Sequence, residues 1–428
     1  MARQVIFVAA RNPNTPGGGT DTYVRAHARA ALRAGFEPHI FCRGSPPGVE
    51  ATDFGIVHQV TLPFWRRFLQ TRAKRLYYSQ FASLNQHTLK LDTPILVDAL
   101  ESFVRANPGP HLVHGNGCWA YVGVALQERL RRTDIKIVAI GSFYGSAGHE
   151  CGGKLRALND SHSLWQKFRV HAEKRWTRFA VTPLERHAYS KARMIIVNYN
   201  CVEEQLIDDF DTGVEIRQLP YASEEAFLCK PTAAVPAEIR ALQPKEAPLI
   251  VSLSRHDPRK GMEILIRALG RLKQAGVPFR ACLVGRGELL HAHRLLAQNL
   301  GLEGTTVLTG LVPDPSLYLN CADIFVLPSL GESSGSLALL EALQAGVAVI
   351  ASDVDGIPED VKHGESAFLV KSGSVPELTE ALTNLLCNPD LRVRLANQGR
   401  ELFATRFSAD VFARAIRATY ADLGFTPW

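Results

Sequence analysis

Short apolar runs alternate with helix-compatible stretches along most of this 428-residue chain, and the alternation comes in two series. A strand followed by a crossover helix buries its apolar faces most simply in a parallel sheet covered on both sides, so the pattern predicts α/β layers. In the first series the expected strands are Val5–Ala10, Pro38–Cys42, His111–His114, Ile135–Gly141 and Met194–Asn198. Helical patterns fall between them, for example Asp21 to Arg33 and Cys118 to Leu130. The second series runs Leu249–Ser254, Ala281–Val284, Thr306–Leu308, Asp323–Leu327 and Val347–Ala351. Between the two lie Pro231, Pro236, Pro244 and Pro248 with little periodicity, which marks a linker near 220–247. The chain is also too long for one ordinary core. The expected organisation is a domain over 1–225, a second over 245–405, and a terminal stretch 406–428 that returns to pack on the first.

Composition excludes several classes. Apolar residues make up 46% and charged residues 21%, as in a soluble globular protein. No apolar run approaches the roughly 20 residues of a spanning helix. Val5–Ala10 is closed at once by Arg11 and Pro13, too short for a signal peptide. The eight cysteines are scattered without paired metal-ligand spacing, several inside apolar segments, which fits small core residues in a reducing cytoplasm. The net charge of +6 is mild, but segments 64–78 and 165–179 interleave Lys and Arg with Trp, Phe and Tyr. One reading is solvated helix faces with snorkelling stems. The other is a peripheral contact with an anionic membrane surface or an anionic acceptor. No nucleic-acid motif accompanies the charge, so nucleic acid is not an expected partner.

Residues 328–346 concentrate the chemistry. An apolar run ends at Pro328, a Ser/Gly loop follows, and an apolar-periodic helix runs to Gly346. Amides at a helix start, at the carboxyl end of a strand, form a natural phosphate site. Glu332 in the loop and Glu341 in the helix bracket that start. Anion-binding amides beside hydroxyl-binding carboxylates suit a sugar nucleotide.

With these residues the chain resembles the GT-B fold, and within it the retaining glycosyltransferase family 4. The resemblance spans nearly the whole chain and is densest from Leu249 to Val370. It implies two doubly wound Rossmann-like domains facing a central cleft, the first for the acceptor, the second for a nucleotide-diphosphate sugar of UDP or GDP type. The family's Arg-x4-Lys-Gly stands here as Arg255 to Lys260 and Gly261. Two cations on one loop neutralise a departing diphosphate without a metal, Arg255 bidentately and Lys260 as a point charge. Gly285 resembles the family's Gly-x-Gly turn, and Val312 the segment against the base. The amides of Gly335, Ser336 and Leu337 would meet the diphosphate. By resemblance Glu332 holds donor-sugar hydroxyls and Glu341 the ribose. The family separates these carboxylates by seven residues, whereas eight lie between them here. Either the loop bulges, with Gly335 absorbing the extra backbone, or Ser333 takes the first acidic place. Asp353-x-Asp355 and Asp209-x-Asp211 match a metal-binding pattern of another glycosyltransferase fold, but such pairs are common by chance, and no metal or cofactor is expected.

In the first domain Gly17 to Asp21 follow the first strand and open a helix. By resemblance Gly18 and Gly19 face the donor diphosphate. His114, at a strand end, resembles the family's acceptor-side His and would order the acceptor or reacting sugar. Asn116, Ser142 and Tyr144 are further acceptor-side candidates. Where the family carries a second His, this chain has Phe143-Tyr144, and Tyr221-Ala222 stand where its Asn-Gly lies. The resemblance implies glycosyl transfer with retained anomeric configuration and no side-chain nucleophile. The alternatives are another GT-B sugar-nucleotide enzyme, an epimerase or phosphorylase, or a non-catalytic sugar-nucleotide-binding subunit.

Overall fold

The computed structural model describes residues 3–14, 19–61, 89–156, 164–220, 235–332 and 334–427. They fall into two compact units, Met1–Tyr221 with Ala409–Trp428, and Ala222–Ser408.

The first unit holds β1 (Arg3–Ala9), β2 (Phe36–Arg43), β3 (Gly48–Thr52), β4 (Gly55–Val60), β5 (His111–Asn116), β6 (Ile137–Ser142), β7 (Met194–Val197) and β8 (Glu215–Gln218). Their order in the sheet is β3-β4-β2-β1-β5-β6-β7-β8, and only the β3–β4 hairpin is antiparallel among its pairs. Val5 to Ala9 of β1 and all of β5 are buried, as expected of central strands covered on both faces. The β3–β4 hairpin and β8 add to the expected strands. β8 reads Glu-Ile-Arg-Gln at the sheet edge, so it has no apolar run to betray it.

The terminal helix Ala409–Asp422 belongs to this unit. It buries Phe412, Ala413, Ile416 and Tyr420, a stripe at helical spacing. Arg33–Asp410 and Arg217–Asp422 pair at 2.7 and 2.6 Å near its two ends. Those pairs are largely exposed and each is worth at most about 1 kcal/mol. The apolar stripe therefore dominates, at about 1.5–3 kcal/mol for each fully buried large side chain.

The second unit is one parallel sheet of β9 (Leu249–Leu253), β10 (Arg280–Val284), β11 (Thr306–Gly310), β12 (Ile324–Leu327), β13 (Ala348–Asp353) and β14 (Phe368–Lys371). The order is β11-β10-β9-β12-β13-β14. The chain steps outward from β9 through β10 to β11, then returns to place β12 on the other side of β9. Winding reverses between β9 and β12, and loops leaving two such strands open on a crevice where α/β sheets bind ligands. The helix Met262–Gln274 covers the sheet with Met262, Leu265, Ile266, Leu269 and Leu272, all buried.

Candidate active site

The loop after β9 carries Arg255 and Lys260, and its shape is set locally. Asp257 caps the single turn Pro258–Lys260, its carboxylate accepting from the Arg259 amide at 3.0 Å. Gly261 follows at φ 61° and starts the helix Met262–Gln274. A Cβ there would lie 1.9 Å from the Pro328 carbonyl oxygen, so only glycine lets this loop approach the one after β12. The Leu330 amide donates to the Arg259 carbonyl at 2.7 Å and joins the same two loops.

Side chains complete the junction. Lys260 Nζ donates to Glu332 Oε2 at 2.5 Å, with the Glu332 side chain 3% exposed. Ser329 Oγ donates to the other oxygen, Oε1. The main-chain amide of Glu332 donates to Asp355 Oδ2 at 2.6 Å. Asp355 sits at φ 49°, a conformation uncommon for a residue with a side chain. The loop then turns at Gly335, φ 74°, and the helix Leu337–Ala345 begins after Ser336. Ser336 provides no side-chain cap, so the first amides of this helix are not taken up by it. Glu341 lies four residues after Leu337, hence on the same helix face, and is half-buried.

Gly285 ends β10 at φ 149°, and a Cβ there would stand 1.8 Å from the Ser254 carbonyl oxygen. It holds the β10 turn against the strand end that leads into Arg255. Beneath that turn, His256 and His293 share a hydrogen bond at 2.8 Å between their Nδ1 atoms, both rings buried. Burial lowers the pKa of His256 to about 4. Arg255 is more than half exposed and lies 3.2 Å from Asp257. Val312 is half-buried in the loop after β11. Among the described residues no group of three or more His, Cys, Asp or Glu is arranged to hold a metal.

The second unit thus brings a lysine, a buried glutamate and a helix start together at the point where its sheet reverses direction. Residues 237–402 match the model of glycosyl transferases group 1, and residues 18–222 that of the glycosyl transferase 4-like domain. The chain belongs to the group 1 glycosyltransferases. Over 193 residues the chain is 32% identical to a GDP-mannose-dependent alpha-(1-6)-phosphatidylinositol monomannoside mannosyltransferase of Mycobacterium tuberculosis, covering 43% of this chain and 50% of that one. It spans about half the length of the curated relatives it first matches. A sucrose-phosphate synthase of Thermosynechococcus elongatus has a similar fold at TM-score 0.71 and 21% identity, covering 99% of both chains. Anabaena HepE, solved with UDP-glucose, aligns at TM-score 0.64 and 18% identity over 99% of this chain and 100% of its own. The fold of the chain is GT-B, two Rossmann-like parallel-sheet domains.

In its first unit the placement of His114 departs from expectation. β5 runs on to Asn116, so His114 lies inside the strand and not at its end. The ring is fully buried. Nδ1 meets the Tyr420 hydroxyl at 2.9 Å and Nε2 meets Ser142 Oγ at 2.6 Å. The returning terminal helix supplies Tyr420, which covers the position expected to face an acceptor. His114 and Ser142 are therefore buried in the core of this unit and bonded to each other, and Tyr420 holds the second ring nitrogen. Burial holds His114 well below the usual histidine pKa, so the ring is neutral.

Asn116 stands differently. It is buried, and neither atom of its side-chain amide has a hydrogen-bond partner. Tyr144 stacks on Tyr23 with centroids 4.3 Å apart, and its hydroxyl lies 3.4 Å from His27. Gly19 begins the helix Gly19–Arg33. Gly18, Ser333 and the basic segment 64–78 lie outside the described residues. Sequence reasoning missed Ser329 and the bond from Asp355 to the Glu332 amide. The Asp-x-Asp pattern drew notice to Asp355, but nothing in it placed that carboxylate against the Glu332 amide.

Proposed function

We propose that this chain moves a sugar from a nucleotide-diphosphate sugar, of UDP or GDP type, to an acceptor hydroxyl with retention at the anomeric carbon. The observation that carries the reading is the Lys260–Glu332 pair, on the two loops that flank the reversal of the second sheet. The second unit takes the donor. Arg255 and Lys260 neutralise the diphosphate, and the amides of Gly335, Ser336 and Leu337 receive its oxygens. Glu332 holds donor-sugar hydroxyls and Glu341 the ribose. Glu332 fills the first acidic position, because its backbone and both carboxylate oxygens are fixed by Asp355, Lys260 and Ser329. Val312 lies against the base, and Gly285 keeps backbone close to the phosphates.

The first unit takes the acceptor, with Asn116 and Tyr144 as polar contacts. The acceptor oxygen bonds to the anomeric carbon as the bond to the diphosphate breaks. The acceptor proton passes to the departing phosphate oxygen. No side-chain nucleophile and no metal or cofactor enters this reading. The chain works in the cytoplasm, peripherally at the inner face of the membrane, a placement supported by its basic aromatic segments. No described helix is long and apolar enough to cross a membrane.

A thermal-shift screen of nucleotide-diphosphate sugars tests the donor, since a ligand of the folded state raises the melting temperature. Stabilisation by one donor, with nucleoside diphosphate released only when acceptor is supplied, is expected. Donor breakdown that ignores acceptor, or no stabilisation across the panel, would overturn the reading.

A further inference from the structure

The helix Leu164–Ala180 reads Leu-Trp-Gln-Lys-Phe-Arg-Val-His-Ala-Glu-Lys-Arg-Trp-Thr-Arg-Phe-Ala. At about 100° per residue, Leu164, Phe168, Phe179, Trp165 and Trp176 fall within one arc of about 120°. A helix of a globular domain normally turns such an arc to the core. Here all five side chains are between 56% and 86% exposed. The side turned inward carries Glu173 and Thr177, both buried, with Thr177 Oγ1 at 3.5 Å from Cys151 Sγ of the neighbouring helix Ala147–Arg156. The usual arrangement is inverted: a polar face packs and the aromatic face is left outside.

Charge lies beside that aromatic arc. Lys174, Arg178 and His171 occupy the adjoining sector, Arg175 the apolar edge, and all four are exposed. The one acidic residue of the helix, Glu173, is buried. Snorkelling stems would cover the aromatic rings, and at these exposures they do not. Single exposed apolar residues are ordinary in a folded chain; a stripe of five is not.

Two occupants fit an apolar stripe, and the charge chooses between them. A second copy, docked by two-fold symmetry, would set this basic sector near its own image. An anionic lipid surface presents phosphates to the basic sector and an acyl boundary to the apolar one. Tryptophan suits that boundary, with an apolar body and one polar edge.

We propose that the helix Leu164–Ala180 docks the chain in the plane of an anionic lipid surface. Trp165, Phe168, Trp176 and Phe179 enter the acyl boundary, while Lys174, Arg175 and Arg178 meet headgroup phosphates. This deepens the peripheral placement proposed above and is independent of the transfer chemistry. Donor-induced thermal shifts on the same variants keep the two apart.

Cosedimentation of the full chain with phosphatidylcholine vesicles, with and without phosphatidylglycerol, tests it. The wild type is expected on the anionic vesicles at low salt, and with about tenfold or more weaker partition on neutral ones. W165A/F168A/W176A/F179A should lose about tenfold or more of the binding. K174Q/R175Q/R178Q should lose most of its preference for anionic lipid. Both should keep the wild-type melting temperature, because the replaced side chains are exposed. If the aromatic variant misfolds, W165F/W176F gives a second readout: brominated lipid should quench wild-type tryptophan emission, and far less of it in this variant. The proposal fails if the wild type stays in the supernatant with anionic vesicles. It fails equally if the aromatic variant binds undiminished. A wild type that dimerises without lipid, with the aromatic variant monomeric, would assign the stripe to a second copy instead.

Discussion

The carboxylate of Asp355, on the turn after β13, accepts a hydrogen bond at 2.6 Å from the main-chain amide of Glu332, on the loop after β12. Through that bond Asp355 fixes the backbone of the glutamate that pairs with Lys260. Asp355 is thus a positioning residue for the loop after β12. Replacing Asp355 by Ala should lower turnover by roughly 10–100-fold, the scale seen when a supporting partner is lost. Asp355→Gly separates the causes, because glycine adopts φ 49° freely and lacks only the carboxylate. Steady-state kinetics should find the Gly and Ala variants equally impaired. Recovery in the Gly variant would mean that the backbone conformation, not the carboxylate, matters.

Lys260→Ala removes both the proposed diphosphate cation and the partner of a nearly buried carboxylate. Turnover should fall by roughly 10²–10³. Chemical denaturation should show a loss of about 1–3 kcal/mol, since Glu332 keeps Ser329 but loses its counter-charge. Wild-type turnover in this variant would refute the role of Lys260.

Gly261→Ala forces a Cβ onto the Pro328 carbonyl at 1.9 Å, and the loops after β9 and β12 must separate. The expected result is a lower melting temperature together with weaker donor stabilisation in the thermal-shift assay. An unchanged donor shift would show that the donor does not need these loops joined.

His114→Asn tests whether this buried ring acts in structure or in catalysis. A core histidine bonded at both nitrogens should cost stability when replaced, by about 1–3 kcal/mol, and leave the pH–rate profile unmoved. Tyr420→Phe should reproduce a part of that loss. A shifted limb in the pH–rate profile of His114→Asn would restore a catalytic role.

Acid should destabilise the fold through its neutral buried histidines. Burial lowers His27 and His256 from 6.5 to about 4 in the folded chain. Their stabilising contribution is therefore complete above about pH 6.5. It is lost as pH falls towards 4, because the unfolded chain takes up protons that the folded one refuses. Melting temperatures should decline through that window, and less steeply in His256→Gln. A slope identical in wild type and variant would remove His256 from this account.

Much of this architecture was legible in the chain because parallel strands buried on both faces must be apolar throughout. Leu249–Leu253 and Ile324–Leu327 announce themselves in this way, and the reversal between them locates the loops that carry Lys260 and Glu332. Hairpin β3–β4 and edge strand β8 escaped, since exposed strands need no apolar run; edge strand β14 escaped as well, although Phe368 to Val370 are apolar, because three such residues are too short a run to mark a strand. Glu332 and Lys260 could be named from the family resemblance, but their pairing across 72 positions could not. The burial of His114 depends on Tyr420, 306 residues away, and on a helix whose docking site no local pattern specifies. The inverted face of Leu164–Ala180 was visible only as mixed composition. Which arc of a helix faces the core is decided by its neighbours.

The account rests on a diphosphate gripped by Lys260, Arg255 and the amides that follow Gly335. Titration calorimetry of wild type and Lys260→Ala with a nucleoside diphosphate and the matching monophosphate tests this directly. The wild type should bind the diphosphate at least about tenfold more tightly, and the variant should lose that preference while its monophosphate affinity stays close to wild type. Equal affinity of the wild type for both nucleotides, or an undiminished diphosphate preference in the variant, would contradict it.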